Sequence, residues 1–171
     1  MIIHRIGANL FNIDSYEYEK LSKDKEKVKT IMTKWRTDNA YLTPGYLHIK
    51  EYPTSTASVF DVEAHLLKKE EEISNKMGKP FKFHVVYIDY INIMKNWRNP
   101  NSENTYMKIK QIAEDLRAMG QRNNWCIVTA TQTGRGAFDA SDVTASDVSE
   151  SAALNATVDM MFAIIKDLQM D

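Results

Sequence analysis

The chain has 171 residues, 43% apolar and 26% charged, with a formal net charge of −1. These values fit an ordinary globular domain with enough chain for one sizeable core. They exclude a globally basic surface, so a nucleic acid strand would have to meet a local or backbone-lined site. No apolar stretch approaches the ~20 residues that span a bilayer, and the start, MIIHRIGANLF, lacks the apolar core of a signal peptide.

In chain order, Leu21, Val28, Ile31, Met32 and Trp35 recur at helical spacing and predict a helix over 15–37. TPGY, 43–46, signals a turn, and YLHIKEY, 46–52, reads as a strand. Ser58 and Asp61 fit a capping box at the start of a second helix. Its apolar face carries Val59, Val62, Leu66, Ile73 and Met77, and Gly78 followed by Pro80 ends it.

The run FHVVYID, 83–89, is apolar and β-branched without interruption, as in a strand covered on both faces. A polar loop, 96–104, leads to a helix over about 103–122 carrying Tyr106, Ile109, Ala113, Leu116 and Met119. WCIVTAT, 125–131, predicts a second buried strand. It contains the one cysteine, Cys126, which excludes an internal disulfide. That thiol is expected to be a small buried hydrophobe in a reducing cytosol. A long polar loop over 132–147, a short helix near 148–155 and a last strand, VDMMFAIIK, complete the chain. Strand, helix, strand, helix, strand predicts an α/β fold with a mostly parallel sheet flanked by helices and no domain boundary.

Ligands of parallel sheets gather beyond the carboxyl ends of the strands. Asp89 and Gln132 both fall there. Four apolar residues followed by Asp is the Walker B pattern, whose carboxylate anchors magnesium at the outer phosphates of a nucleotide, often through a water. Taken alone, the pattern recurs by accident and equally fits a carboxylate that only ends a strand. Gln132 offers donors and an acceptor to a water or a phosphate, or is simply a solvated loop residue. Arg135 lies between Gly134 and Gly136, where the backbone passes close to a ligand and the guanidinium suits phosphate, or else in an exposed loop. SDVTASDVSESAAL, 141–154, reads as a helix cap at Ser146 or Asp147, or as a helix N-terminus meeting a phosphate of a nucleic acid strand. His4, His48, His65 and His84 have no metal-ligand spacing.

The ordered set VVYIDYINIM, SENTYMKIKQIAEDLRAMGQRNN, IVTATQTGR and SDVSESAALNATVDMMFAII resembles the RecA-like motor domain of DnaB-type replicative helicases, in particular those of T-even-type phages. RIGANLFNID, KWR and IKEYPTSTAS extend the likeness upstream, so that it covers nearly all of 1–171 in collinear order. The resemblance implies an incomplete RecA-like P-loop ATPase core, running from the Walker B strand to the DNA-binding loop segment, with no second domain. It implies ATP and Mg2+ as cofactors, with Asp89 as the Walker B aspartate and metal ligand. Gln132 matches the glutamine that senses the terminal phosphate, and Arg135 the arginine a few residues on. Ser149, Glu150 and Ala152 match the channel-lining positions that touch single-stranded DNA. Ser149 stands where many relatives have arginine, and Ala152 where they have glycine, a departure that speaks against a side-chain contact from 149 and leaves backbone contacts open.

The implied partners are single-stranded DNA, a homo-oligomeric hexameric ring or a complementing N-terminal helicase fragment, a primase and a helicase loader. The implied location is cytoplasmic, in the host cytoplasm for a phage-encoded chain. No G-x-x-x-x-G-K-[ST] occurs, and Tyr90 follows Asp89, so no adjacent acid replaces the family's catalytic glutamate. The resemblance puts the phosphate loop and that glutamate upstream and the arginine finger downstream. Alone, the chain is therefore expected to be inactive as an ATP hydrolase, and unstable or aggregating without a partner that supplies the missing strands. A non-catalytic interaction module and another RecA-like ATPase such as a recombinase are the competing readings.

Overall fold

The computed structural model describes residues 2–39, 45–101, 104–132, 154, 156–162 and 164. Contacts group the chain into two compact units, 1–51 and 52–171.

The first unit contains three helices, α1 (Ile2–Phe11), α2 (Ser15–Ser22) and α3 (Lys25–Asp38). The single helix predicted over 15–37 is thus two. Asp24 breaks it, because its carboxylate accepts from Lys27 N at 3.0 Å and starts a new helix as N-cap. Asp14 does the same for α2, accepting from Tyr16 N at 2.7 Å and Glu17 N at 2.8 Å. Tyr18 of α2 packs edge-on against His4 and tilted against Phe11, both of α1. The segment 46–52, read as a strand, forms no regular secondary structure, and Leu47 is exposed. Its alternation supplies propensity, but a strand also needs a neighbouring edge.

The second unit holds α4 (Val59–Met77), β1 (Val85–Ile88), a 3-10 turn (Ile91–Ile93), α5 (Thr105–Asn123) and β2 (Cys126–Thr129). The capping box forms as expected. Ser58 N donates to Asp61 Oδ2 at 2.8 Å, and Asp61 N donates to Ser58 Oγ at 3.3 Å. Gly78 closes α4 at φ 66°, a conformation that side chains with a Cβ disfavour.

β1 and β2 pair in parallel, with Val85 opposite Cys126 and Ile88 opposite Thr129. One face of the pair builds the core. Val86 is buried there with Ile73 of α4 and Ile109, Ile112, Leu116 and Met119 of α5, and Ile88 and Ile127 pack against them. The predicted helical faces of α4 and α5 are the ones that point inward, although Met77 and Tyr106 remain exposed.

The other face is open among the described residues, which corrects the expectation of two-sided burial. Val85 is 42% exposed, Tyr87 76% and Val128 41%. Cys126 lies on this face and is exposed, not buried. The physical reason is topological: α4 and α5 both lie against the same side of the strands, so alternate residues of an unbroken apolar run face outward. The strand predicted over 158–166 is likewise absent among its described residues, of which Phe162 is 81% and Ile164 99% exposed. Of the predicted helix near 148–155, only Leu154 is described; it is helical and buried.

Candidate functional site

The two strands end side by side. Asp89 follows β1 directly, and Gln132 comes three residues after β2. Both are exposed. Parallel pairing therefore brings the two sequence-predicted residues to the same carboxyl edge of the sheet. Asp89 joins none of the ion pairs found among the described residues. The Asp89–Tyr90 peptide is cis.

Beyond the last paired residues the two segments remain stitched together. Thr129 Oγ1 donates to Ile88 O at 2.9 Å, and Ile91 N donates to Ala130 O at 3.2 Å. Thr131 Oγ1 then donates to Asn92 Oδ1 at 3.0 Å. Lys108 Nζ, from α5, donates to Asn92 O at 3.0 Å. The side chains in these bonds, those of Asn92, Lys108, Thr129 and Thr131, are not singled out by the sequence. The alternating threonines of TATQ are the available signal, but their partners lie 41 and 39 positions away and depend on the register of the two strands.

Arg98, Arg117 and Arg122, the arginines described in the second unit, are engaged with carboxylates. Arg98 pairs with Glu114 at 3.1 Å and with Asp115, Arg117 with Asp159 at 2.8 Å, and Arg122 with Glu63 at 2.7 Å. The hydrogen bond to Asp115 raises the pKa of Arg98, and that to Glu63 raises the pKa of Arg122. The polar loop after β1 is held down by the same helix. Asn96 Nδ2 donates to Gln111 Oε1 at 2.7 Å, and Trp97 Nε1 to Asp115 Oδ2 at 2.8 Å. The first residues of this loop, Asn96, Trp97 and Arg98, are thus tied to α5, and the Arg98 guanidinium is engaged there.

Among the described residues, no cluster of three or more His, Cys, Asp or Glu side chains could hold a metal ion. The arrangement can still serve a magnesium ion, which takes one or two carboxylates and fills its remaining positions with waters and substrate phosphates. Asp89 offers one exposed carboxylate on a fixed strand end, which fits that mode. Arg135, Ser149, Glu150 and Ala152 lie outside the described residues. No helix among the described residues is long and apolar enough to cross a membrane.

Comparison with known proteins extends this geometry. The family model of the DnaB-like helicase C-terminal domain matches residues 2–171. The DnaB-like replicative helicase of Enterobacteria phage T4 is 36% identical over 163 residues, which is 95% of this chain and 32% of that protein. A solved structure of a DnaB-like replicative helicase, determined with its primase interactions, superposes with a TM-score of 0.67 at 18% identity. That match covers 92% of this chain and 35% of the solved chain, and at this identity it speaks for the fold. The chain spans about a third of the length of these relatives. With a family model matched over nearly every residue, the chain belongs to the DnaB-like helicase C-terminal domain family.

Proposed function

We propose that this chain forms part of the motor domain of an ATP-driven, hexameric replicative DNA helicase, which translocates on single-stranded DNA and unwinds the duplex at the fork. One observation carries the reading: in a chain of this family, Asp89 and Gln132 issue from the carboxyl ends of two adjacent parallel strands.

In this reading Asp89 would hold Mg2+, directly or through a water, and the ion would supply charge neutralisation at the outer phosphates of ATP. The strand end keeps the carboxylate in place, so little reorganisation is needed when the nucleotide arrives. Gln132 meets the terminal phosphate with its amide and passes the presence or loss of that phosphate to the DNA side. Arg135 adds a guanidinium suited to phosphate. Ser149, Glu150 and Ala152 lie along the central channel and contact the backbone of the DNA strand, chiefly through main-chain groups at 149.

A phosphate-binding loop of the G-x-x-x-x-G-K-[ST] type is not among the 171 residues. The reading assigns it to polypeptide beyond them, supported by the greater length of the relatives. That polypeptide, the neighbouring subunits of a ring, a primase and a loader are the proposed partners, and the cytoplasm where replication proceeds is the proposed location. The open face of the β1–β2 pair, with Tyr87 at its centre, supports a covering partner, because apolar sheet faces of this kind are normally packed.

The test mixes this chain with a polypeptide carrying the phosphate loop and measures DNA-stimulated ATP hydrolysis. Asp89→Asn is expected to lower kcat by about 100-fold or more, the scale set by losing an electrostatic contact to the transferring phosphoryl group. Hydrolysis indifferent to Asp89→Asn, or no hydrolysis with any such polypeptide, overturns the reading.

A further inference from the structure

We propose that the Asn92–Thr131 hydrogen bond is a positioning latch that sets where Gln132 stands relative to Asp89. The inference rests on the function proposed above and adds residues to it. The strand ladder ends at Ile88 and Thr129. Asp89 and Gln132 both lie past that point, so the sheet alone does not fix their separation. Three connections continue the join. The Ile91–Ala130 bond is main chain to main chain and would form with almost any side chains. The other two need particular hydroxyls: Thr129 on the carbonyl of Ile88, next to Asp89, and Thr131 on the amide of Asn92, next to Gln132.

Thr129 therefore secures the neighbour of Asp89, and Thr131, itself the neighbour of Gln132, is secured on Asn92. Lys108 anchors the arrangement by donating to the Asn92 carbonyl from α5. On that helix the next residue, Ile109, is fully buried, so the anchor belongs to the rigid core. A group that acts on a phosphate must be held within a fraction of an ångström of its productive place, and that demand falls on the residues behind it. Asn92 and Thr131 are positioning residues in this sense. They touch neither nucleotide nor metal in the proposed reaction.

The experiment uses this chain mixed with the phosphate-loop polypeptide, in six arms: unmutated, Asp89→Asn, Thr131→Val, Thr131→Ser, Asn92→Ala, and Thr131→Val combined with Asn92→Ala. Thr131→Val keeps the shape and removes the hydroxyl. It is expected to lower kcat about tenfold while KM for ATP stays within about twofold, the signature of lost transition-state positioning. Thr131→Ser restores the rate, and Thr131→Val combined with Asn92→Ala is no worse than either alone, because both remove one interaction. Amide exchange on the same mixture supplies a second readout: Ile91 N–H exchanges about tenfold faster in Thr131→Val.

If Asp89→Asn abolishes hydrolysis but Thr131→Val and Asn92→Ala leave kcat unchanged, the latch is wrong and the motor reading stands. If Asp89→Asn has no effect, or no arm hydrolyses ATP, the motor reading fails and takes the latch with it. A fall in kcat that Thr131→Ser does not rescue, matched by an equal loss of melting temperature, makes Thr131 merely structural and overturns the latch. Unchanged Ile91 exchange overturns it whatever the activity.

Discussion

The carboxylate of Glu70 accepts the indole N–H of Trp125 at 3.1 Å, and the same oxygen accepts the backbone N–H of Phe83 at 2.8 Å. Its second oxygen meets Lys82 Nζ at 2.8 Å. Glu70 is buried on α4, Phe83 leads into β1, and Trp125 leads into β2. One side chain thus ties the amino ends of both strands to the helix beneath them. Glu70→Ala would leave two buried N–H groups without an acceptor, each costing about 1–3 kcal/mol. The expected loss is about 2–4 kcal/mol of unfolding free energy, read from the urea midpoint at unchanged slope. Glu70→Gln keeps one acceptor oxygen and is expected to lose less. Equal stability of Glu70→Ala and the unmutated chain would show that water satisfies these donors.

Gly120 sits inside α5, where alanine ordinarily helps a helix by about 1 kcal/mol. Here a Cβ would stand 2.9 Å from the carbonyl oxygen of Trp125 and 3.0 Å from Ile127 Cγ1. The first of these is backbone and cannot rotate away. Overpacking of this kind costs about 1–3 kcal/mol, so Gly120→Ala is expected to be net destabilising despite its propensity gain. A thermal melt decides the sign. A raised melting temperature would mean that β2 slides away from α5 at little expense.

The capping box at α4 makes stability depend on acid. Hydrogen bonds from the Ser58 side chain and backbone hold the Asp61 carboxyl below its ordinary 3.8. Arg122 holds Glu63, one turn into the same helix, below its ordinary 4.5, with Asn123 assisting. For groups with lowered pKa, the folded chain binds fewer protons than the unfolded chain. Their contribution is complete above the unfolded values and drains away as pH falls through the folded ones. Melting temperature is therefore expected to drop between about pH 5 and about pH 2, and Asp61→Asn should flatten part of that fall. At neutral pH Asp61→Asn should cost about 0.3–1 kcal/mol, because the amide keeps an acceptor for Ser58 N–H but gives up the negative charge at the helix N-terminus. An acid limb with identical slope in both proteins would remove Asp61 from the account.

What the sequence announced was local. Ser58, Asp61 and Gly78 mark the ends of α4 because caps are made by neighbours in the chain, and the inward faces of α4 and α5 follow from helical spacing alone. Asp24 was equally local, but its capping preference lost to a periodic apolar pattern when 15–37 was read as one helix. The strand expected at 46–52, and the described residues of the one expected at 158–166, form no strand for a different reason. Their alternating or apolar runs carry propensity, yet pairing is decided by residues far away. The site divides in the same manner. Asp89 and Gln132 were legible because each ends its own apolar run. Asn92, Thr131 and Lys108 were not, since their contacts exist only once β1, α5 and β2 have closed on one another. Tyr87 and Cys126 were expected inside because the run is apolar on both sides. Only topology tells which side has a neighbour.

That open side makes the last prediction. Val85, Tyr87 and Val128 form an exposed apolar strip on the outer face of the strand pair, with Cys126 among them. The two-stranded sheet also leaves an unpaired edge on each side among the described residues. Both features favour association with other chains. The unmixed chain is expected to self-associate at micromolar concentration. A triple substitution, Val85→Thr, Tyr87→Thr and Val128→Thr, should suppress this while lowering the melting temperature little, because these side chains contribute little to the core. The same substitutions should weaken binding to the phosphate-loop polypeptide, since a face made polar is costly to bury. Sedimentation velocity reads both effects. A monomeric unmutated chain at the same concentration, bound no more tightly than the triple variant, would show that this face is not where a partner sits.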